Sequence, residues 1–156
     1  MRLVISVVAL LLSVNVLAGF NEGILAYEAG DYKTAFDELK PLAEQGDVDA
    51  QFSLGVMYQE GKGVIQDYKE AVKWYTKAAE QGDAYAQGAL AYMYRYGEGV
   101  LQDNVYAHMW GNIASSNGNE TGGYFRDQFA KLMTPDQIAE AQQLARECVK
   151  KDYKNC

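Results

Sequence analysis

Residues 50–79 read AQFSLGVMYQEGKGVIQDYKEAVKWYTKAA, and residues 86–115 read AQGALAYMYRYGEGVLQDNVYAHMWGNIAS. The two stretches lie 36 residues apart and share small, apolar and glycine positions: Ala50 and Ala86, Leu54 and Leu90, Tyr58 and Tyr94, Gly61 and Gly97, Gly63 and Gly99, Trp74 and Trp110. A repeat of this length is typical of arrays built from one supersecondary unit. The repeat therefore determines the predicted fold class.

Each unit predicts a hairpin of two helices, here called A and B. Ala50, Leu54 and Tyr58 recur at spacings of four, which places them on one face of helix A. Gly61 predicts the end of that helix, because glycine accepts the left-handed backbone of a C-cap. Asp67 is the predicted N-cap of helix B.

Stacked hairpins predict an all-α fold, a short α-solenoid of about three units with a C-terminal helical cap, since stacking buries the apolar face that a single hairpin exposes. A partial copy lies upstream, where residues 31–33 match residues 67–69 at the same offset but the Gly-x-Gly turn is missing. The predicted segments are a signal peptide (1–18), a degenerate tetratricopeptide-like hairpin (19–46), two repeats (47–82 and 83–118) and capping helices (119–156).

The C-terminal segment predicts two helices. Thr134 is the expected N-cap of the last one, Pro135 suits its first position, and Gln137 can complete a capping box. A helix is also expected over 120–133. The Ser115–Asn119 stretch and the pair Gly122-Gly123 bracket a predicted loop.

The N-terminus has the pattern of a secretory signal peptide. Arg2 precedes an apolar run over residues 4–12, and small residues around Ala18 follow. An uncleaved membrane anchor is the alternative, but a spanning helix needs about 20 apolar residues, and Asn15 shortens this run. We therefore expect export to the periplasm or secretion, with no stable membrane span after cleavage.

The charge balance argues against nucleic-acid binding. The chain has 14 basic and 21 acidic residues, a net charge of −7, and no basic run among its repeats. Phosphate backbones are bound by clustered lysine and arginine. We therefore expect no nucleic-acid partner.

Cys148 and Cys156 are the two cysteines of the chain. Cysteines this close together in an exported protein usually pair, whereas two free thiols are the alternative. A continuous helix would hold them about 12 Å apart, which is beyond disulfide reach. A disulfide thus requires the last helix to end soon after Cys148.

No constellation of residues indicates catalysis. His108 is the one histidine, and no second histidine or nearby cysteine completes a zinc set. Nothing in the spacing brings it to Ser115 or Ser116 as a nucleophile. We predict no catalytic residue, no metal and no cofactor, and hence a protein that is not an enzyme.

The repeat resembles the Sel1-like family, relatives of tetratricopeptide repeats with a longer loop between helices A and B. Residues 50–79 carry its pattern in full, and residues 86–114 carry it with Ala91 where the first repeat has Gly55. The resemblance implies a scaffold that binds a protein or peptide. Exported bacterial members are linked to envelope functions or host contact.

Two other functions stay open. Cysteine-rich Sel1-like relatives are described as β-lactamase-like or penicillin-binding, but they carry a cysteine pair in each repeat, and Ala50 and Ala86 occupy helix A here. A cell-wall hydrolase belongs to the same class. The other alternative is a peptidoglycan- or glycan-binding module that uses exposed tyrosine and tryptophan side chains.

The predicted binding face lies on helix A, which lines the concave side in helical-hairpin solenoids. Positions that differ between the repeats are expected to meet the ligand: Asp49, Phe52, Val56 and Gln59 in the first repeat, and Tyr85, Gly88, Tyr92, Arg95 and the adjacent Tyr96 in the second. Aromatic side chains and arginine are typical of interface hot spots. The alternative is that these aromatics pack against the next unit or the C-terminal helices.

Overall fold

The computed structural model describes residues 19–156, so the predicted signal peptide lies outside the described residues. Eight helices occur there: α1 (19–28), α2 (Tyr32–Glu44), α3 (Val48–Glu60), α4 (Tyr68–Ala79), α5 (Ala84–Tyr96), α6 (Asn104–Ser116), α7 (Glu120–Ala130) and α8 (Pro135–Lys150). This part of the chain has no β-strand, which confirms the predicted all-α class. It divides into two compact units, one ending at Gln66 and the other Asp67–Cys156.

The first unit is built on the packing of α2 against α3. Ala35 and Leu39 of α2 and Ala50, Leu54 and Met57 of α3 are fully buried. The periodic apolar residues of helix A therefore form the core of this unit, because the spacing of four keeps them on one side of α3.

The second unit contains α4 to α8, and α6 contacts three of its neighbours, α5, α7 and α8. Trp110 and Ile113 of α6 are buried with Leu90 and Met93 of α5. Since α6 is packed on several sides, it is the central helix of this unit.

The glycine turns confirm the predicted helix ends. Gly61 and Gly97 cap α3 and α5 in the left-handed conformation, with φ of 69° and 70°. Gly63 is also constrained by packing, because a Cβ atom there would lie 2.2 Å from the carbonyl oxygen of Tyr32. Asp67 caps α4 by accepting hydrogen bonds from the backbone N–H groups of residues 69 and 70 at 2.9 and 3.1 Å.

The predicted loop around Gly122-Gly123 is wrong, because both glycines lie inside α7 and are buried. A Cβ atom on Gly122 would lie 2.5 Å from Cβ of Ala114, so glycine is what permits α7 to approach α6 this closely. Ser115 and Ser116 belong to the last turn of α6 rather than to a loop. The predicted capping box of α8 is confirmed.

Cys148 and Cys156 form the predicted disulfide, with their Cα atoms 5.3 Å apart. Helix α8 ends at Lys150, as such a bond requires. Beyond it, Lys154 Nζ donates a hydrogen bond to the carbonyl oxygen of Glu80 at 2.7 Å, and the Tyr153 hydroxyl donates to Asn117 Oδ1 at 3.2 Å. The C-terminal residues are thereby tied to the ends of α4 and α6.

Candidate functional site

An apolar pocket of about 160 Å³ lies between α1 and α3 in the first unit. Its walls come from these two helices and its floor from α2, and the lining residues are Ile24, Tyr27, Leu39, Phe52, Ser53 and Val56. Phe52 and Val56 were predicted as binding residues, and the structure brings them together with α1. The lining is apolar apart from the hydroxyl groups of Tyr27 and Ser53, so the pocket suits an apolar side chain of a ligand.

The α1 side of the pocket was missed from the sequence. Ile24 and Tyr27 lie in the degenerate first hairpin, which lacks the Gly-x-Gly turn that aligns the later repeats. Tyr27 could have indicated this side of the pocket, since a tyrosine near the end of helix A also occurs at Tyr58 and Tyr94.

A polar cluster holds the Tyr27 ring at the edge of the pocket. The Tyr27 hydroxyl accepts a hydrogen bond from Lys62 Nζ at 3.0 Å and donates one to Glu60 Oε2 at 3.1 Å. Lys62 and Glu60 also form an ion pair at 2.7 Å, and the Lys62 ammonium lies 4.9 Å from the centre of the Tyr27 ring. Lys62 and Glu60 therefore fix one wall of the pocket.

The electrostatics of this cluster keep each group in its usual ionisation state at neutral pH. Burial, opposed by the Lys62 hydrogen bond, raises the pKa of Tyr27 above its ordinary value. The hydrogen bond from Lys62 lowers the pKa of Glu60 below its ordinary value, and the same bond raises the pKa of Lys62. Tyr27 thus stays neutral beside a charged pair.

The other predicted residues of the first repeat flank the pocket without lining it. Asp49 is exposed near the start of α3, and Gln59 is half-buried near its end. The carbonyl oxygen of Gln59 accepts a hydrogen bond from Gln66 Nε2 at 2.7 Å.

In the second unit, α7 covers part of the predicted face. The Tyr92 ring lies 6.2 Å from Phe125, and the Arg95 guanidinium lies 5.8 Å from the ring of Phe129. These two side chains therefore pack on a C-terminal helix, as the alternative interpretation expected, and Gly88 is buried beside Asn119. Tyr85 and Tyr96 are exposed, at 69% and 56%.

His108 is buried, with 3% exposure, on α6. Its Nδ1 atom has no hydrogen-bond partner among the described residues. Burial, followed by the charge of Arg126, lowers the pKa of His108 below its ordinary value, so the imidazole is neutral at pH 7. Within residues 19–156, no three His, Cys, Asp or Glu side chains form a group that could hold a metal ion.

Two further observations bear on the alternatives. Trp74 and Trp110 are buried, at 8% and 4% exposure, so neither offers the exposed ring that the glycan-binding alternative assumed for tryptophan. The helices of the described part are all too short or too polar to cross a bilayer.

Comparison with known proteins gives a family and a fold. The Sel1 repeat model matches residues 48–83 and 84–119. A protective antigen of uropathogenic Escherichia coli with an SLR fold is similar at 32% identity and a TM-score of 0.83, over 88% of this chain and 31% of that one. A Sel1 repeat protein from Oxalobacter formigenes is similar at 37% identity and a TM-score of 0.54, over 55% of this chain and 66% of that one.

This chain thus spans about a third of the Escherichia coli protein and about two thirds of the Oxalobacter protein. No curated protein matches it. The likeness to the SLR fold shows an all-α helical-repeat solenoid, an architecture that serves as a scaffold for protein–protein interaction. With its two repeats and these structural relatives, the chain belongs to the Sel1-like repeat family.

Proposed function

We propose that this protein is an exported bacterial scaffold that binds a peptide or a loop of a partner protein on the helix A face of its first unit. The observation that carries the proposal is the apolar pocket between α1 and α3, lined in part by Phe52 and Val56. Asp49 and Gln59 flank it, and Tyr85 and Tyr96 are proposed as contact residues in the second unit.

The shape and chemistry of the pocket support an anchoring role. Its volume of about 160 Å³ suits one large apolar side chain, and its floor is the fully buried Leu39. Interfaces take much of their binding energy from a few side chains inserted into such desolvated pockets. The ordered Tyr27 wall reduces the entropy lost on binding, because its ring is already held by Lys62 and Glu60.

Export is proposed from three observations. Residues 1–18 have the signal-peptide pattern, and the chain ends in a disulfide of the kind that persists in oxidising compartments. The similar Escherichia coli protein is a protective antigen. We propose the periplasm or the cell exterior as the location, and the envelope or a host surface as the setting in which the partner is met.

Site-specific photo-crosslinking in the bacterial envelope tests the proposal. The photoreactive amino acid p-benzoylphenylalanine replaces Ser53, which lines the pocket, or Ile65, which is 91% exposed in the same unit but outside it. We expect a discrete adduct from position 53 and none of the same mass from position 65.

A second variant closes the pocket. Val56→Asp introduces a charge among apolar walls and is expected to abolish the adduct formed at position 53, because an unpaired carboxylate there opposes entry of an apolar side chain. Circular dichroism checks that the variant stays folded. The proposal fails if the adduct persists in folded Val56→Asp or forms equally from position 65.

A further inference from the structure

A second groove lies in the other unit, between the C-terminal third of α6 and the C-terminal half of α8. It encloses about 320 Å³. Its apolar lining residues are Ile113 and Ala145, which are 2% and 3% exposed, and Val149, which is 46% exposed. Val149 therefore supplies most of the open apolar surface, and Arg146 and Lys150 line the groove beside it. The groove shares no residue with the pocket proposed above.

The two cations of the groove have no acidic partner among residues 19–156. The ion pairs formed within 4.0 Å in this part of the chain involve Lys33, Lys62, Lys73 and Arg126. Arg146 and Lys150 are both exposed, so their charges are directed to solvent rather than to a carboxylate of the same chain.

The local charge also differs from that of the whole chain. Residues 146–154 contain four of the 14 lysine and arginine residues and two acidic residues, Glu147 and Asp152, whereas the net charge of the chain is −7. Of the four cations, Arg146 and Lys150 line the groove. An acidic protein that concentrates cations beside an apolar groove offers a site of complementary charge for an anionic ligand with an apolar part. Two cations at the groove are too few to follow a nucleic-acid backbone.

We propose that the groove between α6 and α8 binds an acidic segment of a partner protein. In this proposal an aliphatic side chain of the segment packs on the exposed Val149, beside the buried Ile113 and Ala145. Carboxylates on either side of it pair with Arg146 and Lys150. The apolar contact supplies most of the affinity, and the two cations select an acidic sequence.

Titration of the ¹⁵N-labelled protein with a short peptide tests the proposal. The probe is acetyl-Glu-Leu-Leu-Glu-amide, and its uncharged counterpart is acetyl-Gln-Leu-Leu-Gln-amide. We expect saturable amide shifts at Ile113, Ser116 and Val149 with the acidic peptide. The uncharged peptide is expected to bind about fivefold more weakly, since two exposed ion pairs are lost.

Matched charge reversals locate the site. Arg146→Glu with Lys150→Glu removes the cations of the groove, whereas Lys131→Glu with Lys151→Glu changes the net charge equally at exposed positions outside it. We expect about a fivefold loss of affinity in the first pair and less than about a twofold loss in the second. Urea unfolding midpoints verify that both pairs are folded.

Three results would overturn the proposal. Equal binding of the two peptides would remove charge selection, and equal losses in the two double variants would indicate a nonspecific charge effect. Shifts of the same amides with octanoate but with neither peptide would make the groove a fatty-acid site instead.

Discussion

The side chain of Gln87 in α5 donates a hydrogen bond from Nε2 to the backbone carbonyl oxygen of Ala79 in α4, at 3.2 Å, inside the core of the second unit. One repeat earlier, Gln51 donates in the same way to the carbonyl oxygen of Ala43 at 3.1 Å. Both glutamines are buried. The same polar bond therefore recurs in both repeats, between helix B of one hairpin and helix A of the next.

Loss of the Gln87 bond is predicted to destabilise the fold. Gln87→Leu removes the hydrogen bond to the Ala79 carbonyl oxygen, which keeps its bond from the Gly82 N–H at 3.0 Å, and the bond at 2.9 Å that the Asn117 amide donates to Gln87 Oε1. We expect a loss of about 1–2 kcal/mol in the free energy of unfolding, because each intramolecular hydrogen bond contributes about 0.5–1.5 kcal/mol. Urea denaturation measures it.

Gln102→Leu is the matched control. Gln102 also donates from Nε2 to a backbone carbonyl, that of Arg95 at 2.9 Å, but it is exposed, and water can replace the bond. A change below about 0.5 kcal/mol is expected. Equal losses in the two variants would show that burial does not set the energy of this bond.

We predict that Gly63→Ala costs more stability than the positive φ at this position alone would explain, because the Gly63 backbone lies close to Tyr32. Gly63 and Gly30 both have positive φ, at 73° and 81°, but a Cβ atom at position 63 would collide with Tyr32 whereas one at position 30 meets nothing within 4 Å. We expect Gly30→Ala to cost about 1–2 kcal/mol and Gly63→Ala to cost clearly more. Thermal unfolding of the two variants compares them, and similar midpoints would contradict the role of the contact.

The contact between α6 and α7 predicts compensation between two small residues. Gly122→Ala places a methyl group 2.5 Å from Cβ of Ala114 and is expected to cost about 1–3 kcal/mol by overpacking. Ala114→Gly makes room for that methyl group. In a double-mutant cycle the two changes should therefore cost less together than the sum of the single costs. Strict additivity would show that α7 does not depend on this contact.

Removal of the disulfide is predicted to release the C-terminal residues. The bond closes a loop across a sequence separation of eight residues, which corresponds to about 2.5 kcal/mol in the chain-entropy model. In Cys148→Ala with Cys156→Ala, hydrogen exchange at Tyr153 and Lys154 should become faster, while α4 and α5 stay protected. A reductant should likewise speed hydrogen exchange at these residues in the native protein and leave the exchange of this double variant unchanged.

The buried His108 predicts a loss of stability on mild acidification. Its pKa is depressed in the folded state, so the unfolded chain takes up the proton first, and stability is lost as pH falls below about 6.5, the unfolded value. Between pH 7.5 and 5.0 the loss is at most about 2 kcal/mol, because each pH unit contributes about 1.4 kcal/mol.

His108→Leu separates this effect from that of the carboxylates. The lowered pKa values of Glu60 and Asp127 place their contributions at more acidic pH. The variant should therefore show a smaller difference between its urea midpoints at pH 7.5 and pH 5.0 than the native protein. An unchanged difference would exclude His108 as the titrating group.

The sequence by itself determined the repeat fold. The 36-residue offset, the apolar spacing of four in helix A, the glycine turns and the aspartate caps are local or periodic features, and a helical array is assembled from such features. The sequence favoured pairing of Cys148 with Cys156 but left free thiols open, because the bond required an early end of the last helix. Phe52 and Val56, which line the pocket, were predicted as binding residues because they vary where the packing positions match.

Tertiary structure decided which of these variable positions lie open. Gly122 and Gly123 suggested a loop, but in the fold they permit α7 to pack on α6, and α7 then covers Tyr92 and Arg95. The pocket and the groove beside Arg146 likewise depend on the contact of a repeat helix with α1 or α8, whose sequences lie outside the repeats. Periodicity tells which face of a helix is apolar, whereas the neighbour that covers it is set by packing in three dimensions.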